Sequence, residues 1–433
     1  MSRHHIDRRT FLKTCGKVAL AAPLLTETLL LSGCARCVPH KRNNEIPQKI
    51  VLQNGSVFMG GRYRRLDMEI QEGKIIHLAD RILALPDHNT NVMDCSGLHI
   101  SPGWVDLHCH IGTTIGIEPC LLGPQMGVTA LVEAGTYGPE TLPSFFENCC
   151  PGESIPVYLF LNVRKNGIQV SNVLFKSRPG VEDVEGARRL AMEYPDIIKG
   201  FKVRLDTTNT PSGHPTFLAE TTAKLAADLS MPVMYHLGNP EPSITDFLKV
   251  SKPGDIITHF LRETNNCVVL PSGAIRPEAR EAKANGVLFD VGHGLASFRF
   301  ETARKALEQD FSDFTISSDL WILPSLSKSL TFANVASKFL ALGLSLEDVT
   351  RKISSRPREI LQIESEIQVG KKIDLTLFSI QEGEFAYSDT GGEELKYNSR
   401  IMPRYTVVNG EMIHAGGRDQ QLFTCRNPEG TFA

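Results

Sequence analysis

Two histidines one residue apart, His108 and His110, end the apolar stretch that runs through Trp104 and Leu107. Side chains alternate between the two faces of a β-strand, so both imidazoles point the same way and Cys109 points the other way. Two imidazoles on one face at a strand end could form half of a metal site. A bare pair at this spacing is more often structural, so its interpretation depends on the strands that follow.

Side chains suited to metal chemistry end several of those later strands. Three strands lead into a histidine, one carries a lysine and one ends in an aspartate; the residues are His236, His259, His293, Lys202 and Asp319. A lone histidine at a strand end is usually structural, but several histidines and an aspartate at one rim favour a metal site instead. Imidazole and carboxylate ligands without a thiolate indicate a catalytic site with open coordination positions.

The elements that must position these residues alternate between apolar strands and amphipathic helices. We count eight strand candidates, from 104–108 to 314–319, with helix candidates such as 184–194 and 215–229 between them. Eight such units predict an α/β fold of the (β/α)₈ TIM-like barrel type, whose active sites lie at the carboxyl ends of the strands. A doubly wound open sheet is the alternative, but no glycine-rich phosphate loop follows any strand.

Short strands at both chain ends predict a small β-sandwich domain that brackets the barrel. Asn54-Gly55 and Glu72-Gly73 are turn signals near the N-terminus. Residues 405–413 show the same pattern, a turn signal between short strand candidates, near the C-terminus. We therefore divide the chain into five segments. They are a signal (1–34), a tether (35–47), the first part of the sandwich (48–97), the barrel (98–362), and the second part of the sandwich with a tail (363–433).

The first 34 residues are typical of a targeting segment. RRTFLK at 8–13 resembles the twin-arginine export signal, and LSGC at 31–34 resembles a bacterial lipobox. This resemblance implies export by the twin-arginine route, lipidation of Cys34, and a periplasmic or other extracytoplasmic protein held at a membrane by its lipid anchor. The apolar stretch between the motifs is too short and interrupted to span a membrane comfortably. A soluble protein with a basic N-terminus is the alternative.

Composition is ordinary for a globular protein. The chain has 433 residues, 41% hydrophobic and 22% charged, which suits a barrel plus a smaller domain. A net charge of -3 and the lack of a basic stripe give no support for a nucleic-acid partner. Ten cysteines without framework spacing predict mostly free, buried thiols.

The motifs around the candidate ligands resemble those of the amidohydrolase superfamily of binuclear metallohydrolases, in its deacetylase or dihydroorotase-like branch. The matching pieces are PGWVDLHCH at 102–110, FKVR at 201–204, YHLG at 235–238, THF at 258–260, FDVGHG at 289–294 and SSD at 317–319. The resemblance covers roughly residues 48–415. It implies two divalent metal ions, with zinc the default for histidine and carboxylate ligands in a hydrolytic site.

The resemblance also implies a ligand set. His108 and His110 would bind one metal together with Asp319, and His236 and His259 would bind the second. Arrangements of this kind leave coordination positions open for water and substrate.

The implied role of Lys202 is unusual, because a lysine ammonium has no lone pair for a cation. By resemblance, CO₂ carboxylates this lysine and the carbamate bridges the two metals; an ordinary salt bridge is the alternative. A metal-bridging hydroxide would attack, with Asp319 as general acid and base. Arg204, on the same strand face as Lys202, could hold a substrate carboxylate, and His293 could contact the substrate.

We therefore predict a metal-dependent hydrolase that cleaves a C–N amide bond of a small molecule, with an N-acyl amino-acid-like substrate implied by the resemblance. Three alternatives stay open. They are a cyclic amidase of the dihydroorotase type, an esterase on the same site, and a lipid-anchored binding protein without catalysis. A homo-oligomer is also left open, as such barrels often assemble.

Overall fold

The computed structural model describes residues 49–112, 115–149, 155–168, 182–205, 216–238, 242–263, 265–321 and 330–415. The targeting segment and Cys34 lie outside these residues, so export and lipidation stay predictions. Within the described ranges, no helix is both long and apolar enough to cross a membrane.

Fifteen strands and ten α-helices occur in the described residues, and we number them in chain order. The strands are β1 (Lys49–Met59), β2 (Arg62–Gln71), β3 (Lys74–Ala79), β4 (Thr90–Asp94), β5 (His99–Pro102), β6 (Trp104–Cys109), β7 (Val128–Glu133), β8 (Val157–Asn162), β9 (Ile198–Leu205), β10 (Val233–Leu237), β11 (Ile256–Thr258), β12 (Leu288–Asp290), β13 (Leu375–Ser388), β14 (Glu394–Val408) and β15 (Glu411–His414). The helices are α1 (Pro119–Leu122), α2 (Leu142–Cys149), α3 (Val184–Glu193), α4 (Phe217–Leu229), α5 (Ile244–Val250), α6 (Pro277–Ala284), α7 (Phe300–Leu307), α8 (Phe332–Ala341), α9 (Leu346–Ile353) and α10 (Ser355–Ile360).

The strands β6 to β12 form one curled parallel sheet in chain order. The apolar sequences of β7 (VTALVE) and β8 (VYLFLN) are what parallel strands buried on both faces require. A buried cluster beneath the candidate site includes Ala130, Val132, Phe160, Met234 and Ile256. With helices between its strands, this sheet confirms the predicted TIM-like barrel.

The eighth strand position is taken by residues 315–320, which pair through single bridges, to Asp290 of β12 at one end and Cys109 of β6 at the other. The predicted eighth strand is therefore an extended segment without a ladder, although it closes the barrel. Near its end, Asp319 has a φ of 48°, in the left-handed region that interrupts a strand.

Strands from both chain ends form the second sheet, in the order β15-β14-β13-β5-β1-β2-β3, with β4 also paired to β1. This confirms a second sheet built from both termini. β5 belongs to it, so the chain enters the barrel at Gly103 rather than at residue 98. Only glycine suits that crossing, since an added Cβ would lie 2.0 Å from Thr129 Oγ1.

One of the two predicted turns near the N-terminus is confirmed and the other is wrong. Glu72 and Gly73 have positive φ between antiparallel β2 and β3, as a tight hairpin requires. β1 instead continues through Asn54 and Gly55 with a bulge. Asn54 takes a φ of 62°, and its N–H donates to the Asp67 carboxylate at 2.7 Å, so the pair bends a strand instead of reversing it.

The cysteines whose side chains the structure describes are Cys95, Cys109 and Cys267, and all three are free and buried. Burial raises the pKa of each thiol. None of the three is therefore an activated nucleophile, which agrees with the expectation of free, buried thiols.

Candidate active site

The strand ends bring the first group of predicted residues to one point. His108 Nε2 lies 3.2 Å from Lys202 Nζ and 3.4 Å from Asp319 Oδ1. His110 Nε2 lies 3.2 Å from the same carboxylate oxygen. These side chains come from β6, from β9 and from the segment that closes the barrel, so only the closed sheet puts them together.

His259 and His236 extend the same cluster. Ligand atoms of His108, His259 and Asp319 all lie within 4.8 Å of one another. His259 Nε2 is 2.9 Å from His236 Nδ1 and 4.0 Å from Asp319 Oδ2. The structure thus brings all the predicted ligands together, and imidazoles with a carboxylate form a donor set that suits a divalent transition metal.

Three of these imidazoles are oriented by an oxygen on the Nδ1 side of the ring. The partners are Thr258 Oγ1 for His108 at 2.9 Å, Thr136 Oγ1 for His110 at 2.8 Å, and the Gly292 carbonyl for His259 at 2.7 Å. Each Nε2 is left facing the cluster. Proteins orient metal-binding histidines in this way.

Asp290 determines the tautomer of His108, a role that the sequence alone did not predict. Its carboxylate accepts hydrogen bonds from the hydroxyls of Thr258 (2.8 Å), Thr315 (2.7 Å) and Ser317 (2.7 Å). Because the single hydroxyl proton of Thr258 is used in this way, its oxygen can only accept from His108. His108 therefore carries its proton on Nδ1, and Nε2 keeps a lone pair for a metal.

Two further buried carboxylates were missed. Asp106 accepts from the backbone N–H of Ser318 at 3.0 Å and from its hydroxyl, and burial raises the pKa of Asp106 to about 7. Glu133 accepts from the N–H of Thr136 at 2.8 Å and lies 3.5 Å from His110 Nδ1. The signals were available: Asp106 shares the two-residue period of the histidine pair, and Glu133 ends β7.

Lys202 is fully buried within the cluster. Its Nζ also lies 3.2 Å from Met234 Sδ. Burial lowers the pKa of the Lys202 amine to about 8. Gly135 makes room for this side chain, because a Cβ there would lie 2.5 Å from Lys202 Cγ.

Glycines flank His293 for a similar reason. A Cβ at Gly292 would lie 2.4 Å from Thr258 Oγ1, and one at Gly294 would lie 2.3 Å from Asp319 Oδ2. Both glycines have a φ of 49°, a conformation that other residues rarely adopt. The FDVGHG motif therefore runs its backbone directly against the ligand cluster.

The two predicted substrate contacts lie next to predicted metal ligands: Arg204 pairs with His236 in the register of β9 and β10, and His293 lies between the glycines that touch His259 and Asp319. His293 Nε2 is 2.8 Å from Lys338 Nζ, its Nδ1 is 2.9 Å from the Gly294 carbonyl, and its ring stacks on Phe298. Arg204 lies near the end of β9 and is half-buried. Substrate binding by His293 and Arg204 stays a prediction.

A cavity of about 660 Å³ lies at the opposite end of the barrel, where strands β9 to β12 begin. Its lining includes Ile198, Pro232, Asp255, Leu288 and Ile360. Among the described residues, this cavity brings no histidine to its wall. The chemistry-bearing end of the barrel is therefore the one at the carboxyl ends of the strands.

Two curated deacetylases resemble the chain over most of its length, whereas no protein-family model matches it. A deacetylase of Agrobacterium fabrum is 30% identical over 356 residues, which is 79% of this chain and 85% of the relative. A deacetylase of Brucella anthropi is 31% identical over 335 residues, 75% of this chain and 82% of the relative.

A solved structure supports the same relationship. The crystal structure of a dihydroorotase aligns with a TM-score of 0.76 and 27% sequence identity, covering 85% of this chain and 98% of that chain. The likeness thus spans the barrel and the second sheet, not an isolated motif. The chain belongs to the same family as these deacetylases, within the amidohydrolase superfamily, and is a hydrolase that acts on carbon–nitrogen bonds.

Proposed function

We propose that this protein is a divalent-metal-dependent deacylase that hydrolyses the amide bond of a small N-acyl compound, such as an N-acyl amino acid. The observation that carries the proposal is the convergence of His108, His259 and Asp319, whose ligand atoms lie within 4.8 Å of one another at the carboxyl end of the barrel. The similarity to named deacetylases supports the choice of an acyl group as the part removed.

The residues present fit two divalent ions, for which zinc is the default. His108, His110 and Asp319 would hold one ion, and His236 and His259 the other. Support comes from the ring nitrogens, since hydrogen bonds on the Nδ1 side leave Nε2 of His108, His110 and His259 facing inward. When bound, the ions would polarise the scissile carbonyl and lower the pKa of the attacking water.

Lys202 would complete the ligand set after carboxylation. The ammonium would first lose a proton. The neutral amine would then attack CO₂, forming an N–C bond as one C–O π bond of CO₂ opens onto oxygen, and the nitrogen would release a second proton, so that a carbamate anion replaces the ammonium. Burial supports this step, because it lowers the pKa of the amine to about 8 and raises the fraction that is neutral. The product also removes a cation from a place that would otherwise repel metal ions.

Asp319 is the proposed general base and general acid. Burial raises the pKa of its carboxyl group, but the neighbouring histidines outweigh burial and hold the pKa below its usual range. The charged carboxylate would accept a proton from the attacking water and deliver it to the leaving nitrogen as the C–N bond breaks. Its short distances to His108 and His110, two proposed metal ligands, support this role.

Turnover of an N-acetyl amino acid panel by wild type and Asp319→Asn tests the proposal, with the freed amine as readout. We expect the variant to lose at least about 100-fold in kcat. Asp255→Asn is the matched control, since Asp255 is a buried aspartate at the other end of the barrel. A metal-loaded wild type that is inert across the panel would support a binding protein without catalysis.

A cyclic amidase is the second candidate, and the structural likeness to a dihydroorotase favours it. Ring opening of a cyclic amide produces a carboxylate but releases no separate amine. Adding cyclic amides and acyl esters to the panel therefore separates amide deacylation, ring opening and ester hydrolysis, because each reaction yields different products.

We also propose export by the twin-arginine route and a lipid anchor at Cys34, supported by the RRTFLK and LSGC motifs. Cys34→Ala should move the protein from the membrane fraction to the soluble fraction. Cys37→Ala, three residues further on, is the matched control and should stay with the membrane. Sedimentation of both variants with membranes would contradict the anchor.

A further inference from the structure

A buried lysine behind the loop that follows β12 has no part in the proposed chemistry. We propose that Lys338 of α8 is a positioning residue for the metal centre. It holds His293, and through His293 it holds the two flanking glycines against His259 and Asp319. The inference rests on the proposed function, because His259 and Asp319 act as metal ligands only under that proposal.

The contacts of Lys338 determine the orientation of His293. The Lys338 side chain is buried, and its Nζ lies 2.8 Å from His293 Nε2 and donates to the Ser388 carbonyl at 2.7 Å. Nε2 accepts from the Lys338 amino group when the ring proton sits on Nδ1. Nδ1 lies 2.9 Å from the Gly294 carbonyl and donates to it. Both hydrogen bonds thus agree on one tautomer.

The segment that His293 anchors touches two proposed ligands. The Gly292 carbonyl accepts from His259 Nδ1 at 2.7 Å. Gly294 packs so closely on Asp319 that a Cβ would lie 2.3 Å from its carboxylate. A shift of His293 would therefore disturb two proposed ligands. Asp319 would bind one ion and His259 the other.

The second sheet holds this loop from the other side. Ser388 ends β13, and the residues after it contact the loop directly. Asp389 accepts from the N–H of Phe300 at 3.1 Å, and the Thr390 hydroxyl donates to the Phe298 carbonyl at 2.7 Å. Lys338 therefore connects the β13–β14 hairpin to the metal centre.

These hydrogen bonds also favour positioning over substrate binding for His293. One ring nitrogen accepts from Lys338 and the other donates to Gly294. Neither nitrogen is left for a substrate in this arrangement.

The test compares Lys338→Met with Lys352→Met. Lys352 is a matched control because it is also buried, donates to a backbone carbonyl (Ser312) and lies over a phenylalanine ring, but belongs to α9 and touches no proposed ligand. The readouts are metal affinity, by chelator competition with the apoprotein, and kcat and KM separately. We expect Lys338→Met to lose about 10- to 100-fold in metal affinity and kcat, with KM little changed. Lys352→Met should stay within about two-fold of wild type in metal affinity and in kcat.

Two further variants separate positioning from a general packing defect. Lys338→Gln keeps an N–H donor and should recover part of the metal affinity. In a His293→Ala background, Lys338→Met should add less than about two-fold, because residues that act through one contact are not additive.

Equal losses in the two lysine-to-methionine variants, or full additivity with His293→Ala, would overturn the inference. A wild type that binds metal, with Lys338→Met matching it, would remove this inference alone. A wild type that binds no metal after repletion would overturn the proposed function as well.

Discussion

Nζ of Lys202 lies 3.2 Å from Nε2 of His108, although the two residues are 94 positions apart. Two strands, β7 and β8, separate β6 from β9 in the sheet, so the contact forms across the barrel interior. A permanent ammonium at this place would repel a metal ion held by His108. The pair is therefore where the proposed chemistry can be tested most directly.

Lys202→Ala should reduce the metal content of the purified protein. We expect near two equivalents in wild type and fewer in the variant, because the bridging anion is lost; elemental mass spectrometry measures this. Lys202→Arg keeps the positive charge but cannot form the carbamate, so it should lose metal as well. About one equivalent in all three proteins would indicate a mononuclear site and an ordinary structural lysine.

Gly135→Ala should disturb Lys202 beyond the cost of backbone strain. Gly135 and Gly254 have nearly equal positive φ, 89° and 92°, but a Cβ meets nothing within 4 Å at Gly254 and lies 2.5 Å from Lys202 Cγ at Gly135. Gly254→Ala should cost about 1–2 kcal/mol in unfolding free energy and keep its metal. Gly135→Ala should cost more and bind less metal. Equal behaviour of the two variants would contradict the close packing around Lys202.

Thr258→Val should weaken metal binding through His108. The variant keeps the shape of the side chain but removes the oxygen that holds His108 Nδ1 and bonds to Asp290. We expect a loss of about 10- to 100-fold in metal affinity, measured by chelator competition. Thr222→Val is the control, since that buried hydroxyl bonds only the Leu218 carbonyl within α4; the same loss in both variants would argue against a special role for Thr258.

Stability should depend on pH through Asp255. Burial raises the pKa of this carboxyl group to about 6 from an ordinary value of 3.8. The folded protein thus binds the proton more tightly, so the contribution to stability is complete below about pH 4 and is lost as the pH rises through 6.

Urea unfolding at pH 4 and pH 7 measures this effect. Between these values, wild type should lose about 2–3 kcal/mol more than Asp255→Asn. Parallel curves for the two proteins would mean that Asp255 titrates normally.

The predictable part of the site follows from strand periodicity. The HxH spacing puts His108 and His110 on one face, and both rings approach Asp319 within 3.4 Å. The strand pattern also predicts that Lys202, His236 and His259 lie near one another. In the structure Lys202 contacts His108, and His236 contacts His259. The eighth strand was less regular than its sequence suggests, because the left-handed φ of Asp319 depends on contacts that period alone does not encode.

The sequence by itself determined which side chains share a strand face and which strands end in ligand-type residues, because these follow from the two-residue period of a β-strand. The tertiary structure alone decided which residues hold the candidate site in place by hydrogen bonds. Thr258 meets His108 across 150 positions, and Lys338 meets His293 across 45. Such pairs form only when the barrel closes and the second sheet packs beside it, since the distance between residues far apart in the chain is set by packing and not by local geometry.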